Sequence, residues 1–86
     1  MVQKKYLGVS LKNSSGEGGG VFVIRVTSES PFSSSGVKMG DVIVGVNGAR
    51  IQSINCLTKM LGYREDEVFE LIVKRDNKFI MMPFVL

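Results

Sequence analysis

Residues 36–48 read GVKMGDVIVGVNG and place an apolar segment between two turn-forming segments. The centre of this stretch, residues 42–46, is a near-continuous run of valine and isoleucine, which is typical of a strand buried on both faces. Asn47-Gly48 follows directly and is a strong signal for a two-residue turn. A short strand over residues 49–51 is therefore expected to return from that turn.

The segment before this stretch predicts a strand and a short helix. Residues 21–26, VFVIRV, are β-branched and aromatic and indicate a strand. Ser30 is placed to cap a helix, and Pro31 suits a first helical turn because its missing N–H has no acceptor there in any case. Gly36 suits the left-handed residue that ends such a helix.

The segment after residues 36–48 predicts a second helix. Ser53 is placed to cap it, and Leu57, Met60 and Leu61 recur at the three- and four-residue spacing of a helix face. Gly62 is suited to end the helix. A charged run over residues 64–67, REDE, follows and indicates a solvated segment.

The last part of the chain predicts a β-hairpin. Residues 68–74 and 78–86 have the apolar and β-branched composition of strands, and residues 75–77, RDN, are expected to join them. Proline cannot donate to a sheet ladder, so Pro83 is restricted to an edge strand or a non-hydrogen-bonded position.

The first part of the chain contains a glycine between apolar residues. Residues 4–11 read KKYLGVSL, and a bend at the glycine would leave successive N–H groups open to an anion. A carboxylate is the anion that suits a pocket walled by Leu7, Val9 and Leu11. The same residues are also compatible with an ordinary edge strand after a glycine turn. Residues 13–20, NSSGEGGG, predict a mobile loop, which lacks the strand-loop-helix context of a phosphate loop.

Length and composition restrict the class of protein. With 86 residues, 44% of them hydrophobic, we expect one globular domain over residues 1–86. The chain has no histidine and a single cysteine, Cys56, which we expect to be a buried small hydrophobe. An internal disulfide and a Cys/His metal site are excluded, and no metal or other cofactor is predicted.

Charge and hydropathy restrict the partners. The net charge of +3 comes from scattered lysines and arginines, so a dense basic face for nucleic acid is not expected. The longest apolar run, residues 79–86, is too short to span a bilayer. No secretory signal is visible at the start, and the sequence leaves the localisation open.

Several of these segments together resemble a PDZ domain. The shared motifs are Tyr6-Leu7-Gly8-Val9, Ser30-Pro31 with Gly36, the GDVI and VNG segments within residues 40–48, and the helix with Leu57 and Leu61. The resemblance covers nearly the whole chain. It implies an α+β, mainly β fold: a PDZ-like partly open β-sandwich of five to six strands with two helices.

The order of the strands resembles one branch of the family. Only residues 1–3 precede Lys4, and an additional strand over residues 78–86 comes last. This order is similar to the circularly permuted PDZ domains of the HtrA proteases. In those domains the terminal strand occupies the position of the missing first strand.

The resemblance implies a function as a peptide-binding module that captures the C-termini of partner proteins. The Leu7, Gly8 and Val9 amides would hold the ligand carboxylate, and Lys4 or Lys5 would add positive charge. Residues 9–13 would pair with the peptide by β-augmentation, between that strand and the helix over residues 54–61. The implied peptide-binding residues are Tyr6, Leu7, Gly8, Val9, Ser10, Leu11, Ile54, Thr58 and Leu61.

The predicted helix also carries a departure from the family pattern. Its alignment with the family directs Leu57 and Met60 to the core and Ile54, Thr58 and Leu61 to the ligand. Ile54 occupies the position of the histidine found in PDZ domains that prefer Ser/Thr two residues before the C-terminus. An apolar wall there favours an apolar ligand residue, because a hydroxyl would be unsatisfied. The alternative is that the alignment of the helix with the family is shifted by one position, in which case Ile54 is a core residue and does not face the ligand.

Other functions remain as alternatives. Lys4, Lys5, Lys12 and Lys59 on one side would suit a lipid or membrane surface, and the domain could also regulate a larger HtrA-like protease. Catalysis within this chain is not expected, since no histidine or paired acid and base is available. The end of the chain, Phe84-Val85-Leu86, has the apolar pattern that such a groove should accept, which predicts weak head-to-tail self-association.

Overall fold

Six strands and two helices form the part of the chain that the computed structural model describes, residues 9–14, 19–62 and 68–85. In chain order they are β1 (Val9–Asn13), β2 (Val21–Val26), α1 (Pro31–Ser35), β3 (Val42–Val46), β4 (Ala49–Arg50), α2 (Ile54–Leu61), β5 (Val68–Arg75) and β6 (Lys78–Val85). The strands join in one antiparallel sheet of order β1-β2-β3-β5-β6, and β4 pairs with β3. Among the described strands, β1 and β6 are therefore the two edges.

Both two-residue turns have the left-handed backbone that joins tightly paired strands. Asn47 and Gly48 have φ values of 52° and 82°, and Asp76 and Asn77 have φ values of 53° and 64°. Positive φ at both positions is the requirement of a type I′ turn. The prediction at Asn47-Gly48 is confirmed. The predicted three-residue connection over residues 75–77 is wrong by one residue, because Arg75 belongs to β5 and pairs with Lys78.

The helices begin and end where the sequence predicts. The Ser30 hydroxyl accepts from the Ser33 N–H at 3.2 Å, and the Ser53 hydroxyl accepts from the Cys56 N–H at 3.2 Å. These bonds satisfy N–H groups that have no acceptor inside the helix. Gly36 and Gly62 end the helices with φ values of 103° and 58°. Neither described helix has the length and apolar character needed to cross a membrane.

All the longer elements except β1 contribute to the core, and in β5 and β6 the side chains alternate between the core and the outer face. Phe69, Leu71 and Val73 of β5 are buried together with Met82 and Phe84 of β6. Helix α1 covers this surface. The Phe32 ring contacts the Phe84 ring at a centroid distance of 4.7 Å, within the range of favourable aromatic pairs.

The central strand β3 is less completely covered than predicted. Ile43, Gly45 and Val46 are buried, but Val42 and Val44 are only half-buried. The second face of β3 is therefore partly open, and the prediction of a strand fully buried on both faces is corrected to this extent.

A largely buried ion pair connects distant parts of the sheet. Arg75 Nε donates to Asp41 Oδ1 at 2.8 Å, and Arg75 Nη2 donates to Asp41 Oδ2 at 2.7 Å and to the Gly36 carbonyl at 2.9 Å. The Lys38 N–H also donates to Asp41 Oδ2, at 2.9 Å. Burial by itself would raise the pKa of Asp41, but the hydrogen bonds from Arg75 and the Lys38 amide lower the pKa below its ordinary value.

Pro83 occupies a position where β6 needs no N–H. Its cross-strand neighbour is Glu70, whose N–H donates to Asn47 Oδ1 at 2.8 Å and whose carbonyl accepts from the Asn47 N–H at 2.8 Å. The backbone groups of Glu70 thus point away from β6, so the pair is a non-hydrogen-bonded one. The Pro83 nitrogen consequently faces the free edge of the sheet, as its restriction to an edge or non-bonded position predicts.

Candidate functional site

Strand β1 and helix α2 lie next to each other at one edge of the sheet. We call the surface between them the β1–α2 site, formed by Val9, Leu11, Asn13, Ile54 and Thr58. Val9, Leu11 and Ile54 are half-buried and pack against the core. These three side chains form the apolar floor of the site. Strand β1 and helix α2 are its two walls.

The β1 wall has the alternation that strand pairing requires. Val9 and Leu11 are half-buried, whereas Ser10 and Lys12 are exposed. β1 pairs with β2 on one side, and within the described residues no strand pairs with its other side. The irregularity in this pairing lies between Ser10 and Leu11 and leaves Ile24 of β2 as the additional residue. β1 therefore keeps a regular alternation of side chains along the site.

A side-chain hydrogen bond joins the two walls. Asn13 Oδ1 at the end of β1 accepts from the Ile54 N–H at 2.8 Å. Ile54 is the first residue of α2, and its N–H has no acceptor within the helix. A second link runs from the Gly20 N–H to the Gln52 carbonyl at 3.2 Å. These bonds fix the start of α2 beside the end of β1.

The Asn13 side chain is a part of the site that the sequence does not single out. From the sequence, Asn13 is expected only to end a strand and to begin a flexible segment. In the structure Asn13 is the last residue of β1. A terminal strand asparagine indicates a hydrogen bond to a nearby backbone group, but the partner 41 residues away is visible only in the folded chain.

The α2 wall differs from the prediction in how its side chains divide. Ile54 and Thr58 are half-buried and lie one helical turn apart, and the Thr58 hydroxyl donates to the Asn55 carbonyl at 3.1 Å. Leu61 is fully buried with Leu57 in the core, whereas Met60 is only half-buried. Leu61 is therefore a core residue in this structure, and its contact with a ligand stays a prediction.

Part of the predicted site lies outside the described residues. These positions are Lys4, Lys5, Tyr6, Leu7 and Gly8, together with Leu86 and the charged run at 64–67. The carboxylate-binding amides and the added lysine charge therefore stay predictions from the sequence.

The structure also describes Lys12, Lys59 and Cys56, which the sequence singles out. Lys12 Nζ lies 5.4 Å from the centroid of the Phe22 ring, a cation–π distance, and Lys59 is exposed on α2. Cys56 is a half-buried free thiol whose Sγ lies 3.7 Å from the Arg50 carbonyl. The expectation of a buried Cys56 is corrected, because only part of the side chain packs against the core.

Comparison with known proteins identifies the family. The sequence profile of the PDZ domain matches residues 5–81, which is most of the chain. The chain therefore belongs to the PDZ domain family. Two relatives are serine proteases of Danio rerio: HTRA1A is 29% identical and HTRA1B is 32% identical, each over 66 residues. The match spans 77% of this chain but 13% of each protease.

Solved structures share the fold. The HtrA3 PDZ domain bound to a phage-derived ligand (FGRWV) matches with a TM-score of 0.76 and 23% identity, over 91% of this chain and 80% of that chain. The HtrA-type protease AlgW with a decapeptide matches with a TM-score of 0.79 and 20% identity, over 92% of this chain and 27% of that chain. The predicted PDZ-like fold and its resemblance to HtrA-type domains are confirmed.

Proposed function

We propose that this chain is a peptide-binding module that captures the C-terminus of partner proteins by β-augmentation along β1. The observation that carries the proposal is the arrangement of β1, an edge strand whose half-buried Val9 and Leu11 side chains accompany a half-buried Ile54 on α2. The HtrA3 PDZ domain bound to a phage-derived ligand and AlgW with a decapeptide support peptide binding by this chain.

Backbone pairing supplies most of the affinity in this proposal. An extended peptide adds to the free side of β1, between β1 and α2, and alternate peptide side chains point toward the apolar floor. Ile54 and Thr58 contact these side chains from α2. An apolar side chain is preferred beside Ile54, because a hydroxyl in that place would lose its hydrogen bonds to water without a replacement.

The end of the peptide is held by the motif at the start of β1 and just before it. The Leu7, Gly8 and Val9 amides bind the terminal carboxylate, and Lys4 or Lys5 adds positive charge. In this proposal Tyr6, Ser10 and Leu61 are further peptide-binding residues, as the resemblance to the family implies. This part of the proposal depends on the sequence motif.

A pair of matched peptides tests the proposal. A five-residue peptide ending in valine is titrated against the protein as the free acid and as the C-terminal amide. We expect the acid to bind with a Kd of roughly 1–100 µM, or about 5–8 kcal/mol, and the amide to bind much more weakly. Equal affinity of the two forms would argue against carboxylate capture and for recognition of internal sequences.

The context of the domain is also a proposal. We treat residues 1–86 as one PDZ domain without a catalytic step of its own, since the chain has no histidine. Because the relatives are serine proteases of which the match covers 13%, a regulatory domain of a larger HtrA-like protease is the second candidate. Fusion of this domain to such a protease, followed by a measurement of peptide-dependent proteolysis, tests that role.

Head-to-tail self-association through Phe84-Val85-Leu86 is a further part of the proposal. It would require the loss of contacts that these residues make within the folded domain. Phe84 is fully buried against Phe32, and Val85 pairs with Val68. The end of β6 must therefore leave β5 before it enters a second molecule. A Leu86→Asp change should reduce such association in sedimentation, whereas a monomer at all concentrations excludes it.

A further inference from the structure

The β5–β6 hairpin exposes an apolar surface on the side opposite the core. Its most exposed apolar side chains are Phe79, Val68, Met81 and Val85, at 68%, 64%, 57% and 46%. They lie on one face because residues directly opposite each other in an antiparallel pair project to the same side. We call this surface the outer hairpin face, formed by Val68, Glu70, Ile72 and Lys74 of β5 with Val85, Pro83, Met81 and Phe79 of β6.

The outer hairpin face carries one negative and one positive side chain. Glu70 and Lys74 are exposed on β5, with Ile72 midway between them. Four residues of strand separate their Cα atoms by about 13 Å. Within the described residues neither side chain forms a salt bridge. The two charges therefore lie at equal distances on either side of an apolar centre.

We propose that a second copy of this chain packs against the outer hairpin face about a two-fold axis through Ile72 and Met81. Ile72 and Met81 are cross-strand neighbours. A single axis that lies between the two sheets and runs perpendicular to the strands therefore passes over both residues. The rotation reverses the strand direction and brings Glu70 of one copy opposite Lys74 of the other. A two-fold contact uses the same surface on both molecules. Two equivalent Glu70–Lys74 ion pairs therefore form, one on each side of the axis.

The same rotation matches a protruding side chain with a surface depression. Phe79 and Pro83 are equally distant from Met81, so Phe79 of one copy meets the region around Pro83 of the other. An open surface depression of about 190 Å³ lies there, lined by Asn47, Val68, Phe69, Glu70, Met81, Met82 and Pro83. A cavity of about 150 Å³ accommodates benzene in another protein. The Phe79 ring, 68% exposed in one copy, thus has a site of suitable size in the second.

This contact goes beyond the proposed peptide binding and leaves it unobstructed. β1 and β6 are opposite edges of the sheet, so both β1–α2 sites of a dimer remain open. Two sheets stacked in this way lie about 10 Å apart, the usual distance for packed sheets. The contact involves one hairpin per molecule, so it belongs with small, transient interfaces.

Charge reversal with rescue tests the proposal. Sedimentation velocity from about 10 µM to about 1 mM should show a reversible monomer–dimer equilibrium. Glu70→Lys and Lys74→Glu should each weaken the dimer by roughly tenfold or more, because each places like charges opposite one another. The double variant E70K/K74E restores opposite charges and should recover the wild-type dimer. Lys38→Glu is the control, because it makes the same change in net charge as Lys74→Glu at an exposed position outside the outer hairpin face. It should leave the dissociation constant of the dimer nearly unchanged.

Phe79→Ala provides a second, uncharged test of the same surface. It empties the proposed contact with the surface depression without touching the core and should also weaken the dimer by about tenfold. A monomer throughout the concentration range overturns the proposal. A dimer that the double variant fails to restore, or that Phe79→Ala leaves unchanged, also overturns it. Loss of association with Leu86→Asp alone would instead support the head-to-tail contact.

Discussion

The two edge strands of the sheet are built in opposite ways. β1 has five residues, and none of its side chains is fully buried. β6 has eight residues, pairs with β5 over its whole length and buries Met82 and Phe84 in the core. The edge proposed to accept a ligand is therefore short and lightly packed, whereas the other edge is a structural part of the core. Changes in β6 should alter folding, and changes at the β1–α2 site should alter binding.

The largest expected effect follows from removal of β6. Deletion of residues 78–86 takes Met82 and Phe84 out of the core and leaves β5 without its neighbour. We expect the truncated chain to lose its cooperative thermal transition, as measured by circular dichroism. A cooperative transition in the truncated chain would show that β6 is a dispensable tail.

Two phenylalanines of β6 provide a matched pair that sharpens the same prediction. Phe84→Ala should lower the free energy of unfolding by about 3–5 kcal/mol, since Phe84 is fully buried. Phe79→Ala is the control, because Phe79 is 68% exposed. Measured well below the concentration range of the proposed dimer, it should change the free energy of unfolding by less than about 0.5 kcal/mol. Similar losses at both positions would contradict the assignment of the two faces of β6.

The next effect concerns the Asp41–Arg75 pair. Arg75→Met should lower the free energy of unfolding by about 2 kcal/mol at pH 7, because the Asp41 carboxylate then loses hydrogen bonds from a charged partner. The folded-state pKa of Asp41 is lowered. Its stabilising contribution is therefore present above about pH 4 and is lost as the pH falls through the folded-state pKa.

Denaturant unfolding at pH 7, 5 and 3 measures this dependence. The wild type should lose stability most steeply below about pH 4. Arg75→Met should lose less between pH 5 and pH 3, because burial of Asp41 then opposes ionisation. Glu29→Gln removes an exposed carboxylate outside the pair and the outer hairpin face and is the control. Parallel pH profiles for the wild type and Arg75→Met would contradict this role of the pair.

A smaller effect is expected at the ligand edge. Ile54→His should shift the preference toward peptides with Ser or Thr two residues before the C-terminus, by about 1 kcal/mol, because the imidazole supplies a hydrogen-bond partner. Isothermal titration with two peptides that differ only at that residue measures the shift. Asn55→His is the control on the exposed side of α2. An unchanged preference in Ile54→His would place the specificity wall elsewhere on the helix.

The smallest effect is expected from the bond between the two walls of the β1–α2 site. Asn13→Ala removes the acceptor for the Ile54 N–H and should lower the free energy of unfolding by about 0.5–1 kcal/mol, the value of an exposed hydrogen bond. Peptide affinity should fall by a few-fold, because the start of α2 is less fixed. Asn13→Asp keeps an acceptor oxygen and should retain both properties. Equal behaviour of the alanine and aspartate variants would show that the bond has no role.

The features that could be predicted from the sequence are local ones. The Ser30 and Ser53 caps depend on side chains that bond a backbone N–H three residues later, and Asn47-Gly48 specifies its own turn. The apolar and β-branched composition of residues 68–74 and 78–86 likewise indicates two strands. These choices require no knowledge of the rest of the fold.

The features that could not be predicted join distant parts of the chain. Asn13 and Ile54 are 41 residues apart, and Asp41 and Arg75 are 34 residues apart. A single sequence shows that such side chains can form hydrogen bonds, but the partner is determined by the register of the sheet. The predicted boundary at Arg75 is wrong for a different, local reason. Positive φ at Asp76 and Asn77 gives a two-residue turn, so Arg75 is already a strand residue that pairs with Lys78.

The position of Pro83 has a consequence for how this protein avoids aggregation. An exposed, apolar edge strand is a template for the addition of further strands, and such addition can continue into fibrils. β6 has this apolar character at Phe79, Met81 and Val85. A strand that approached its free side would find no N–H donor at Pro83, in the second half of the strand. One proline therefore interrupts the growth of the sheet at β6 without removing a hydrogen bond from the folded domain.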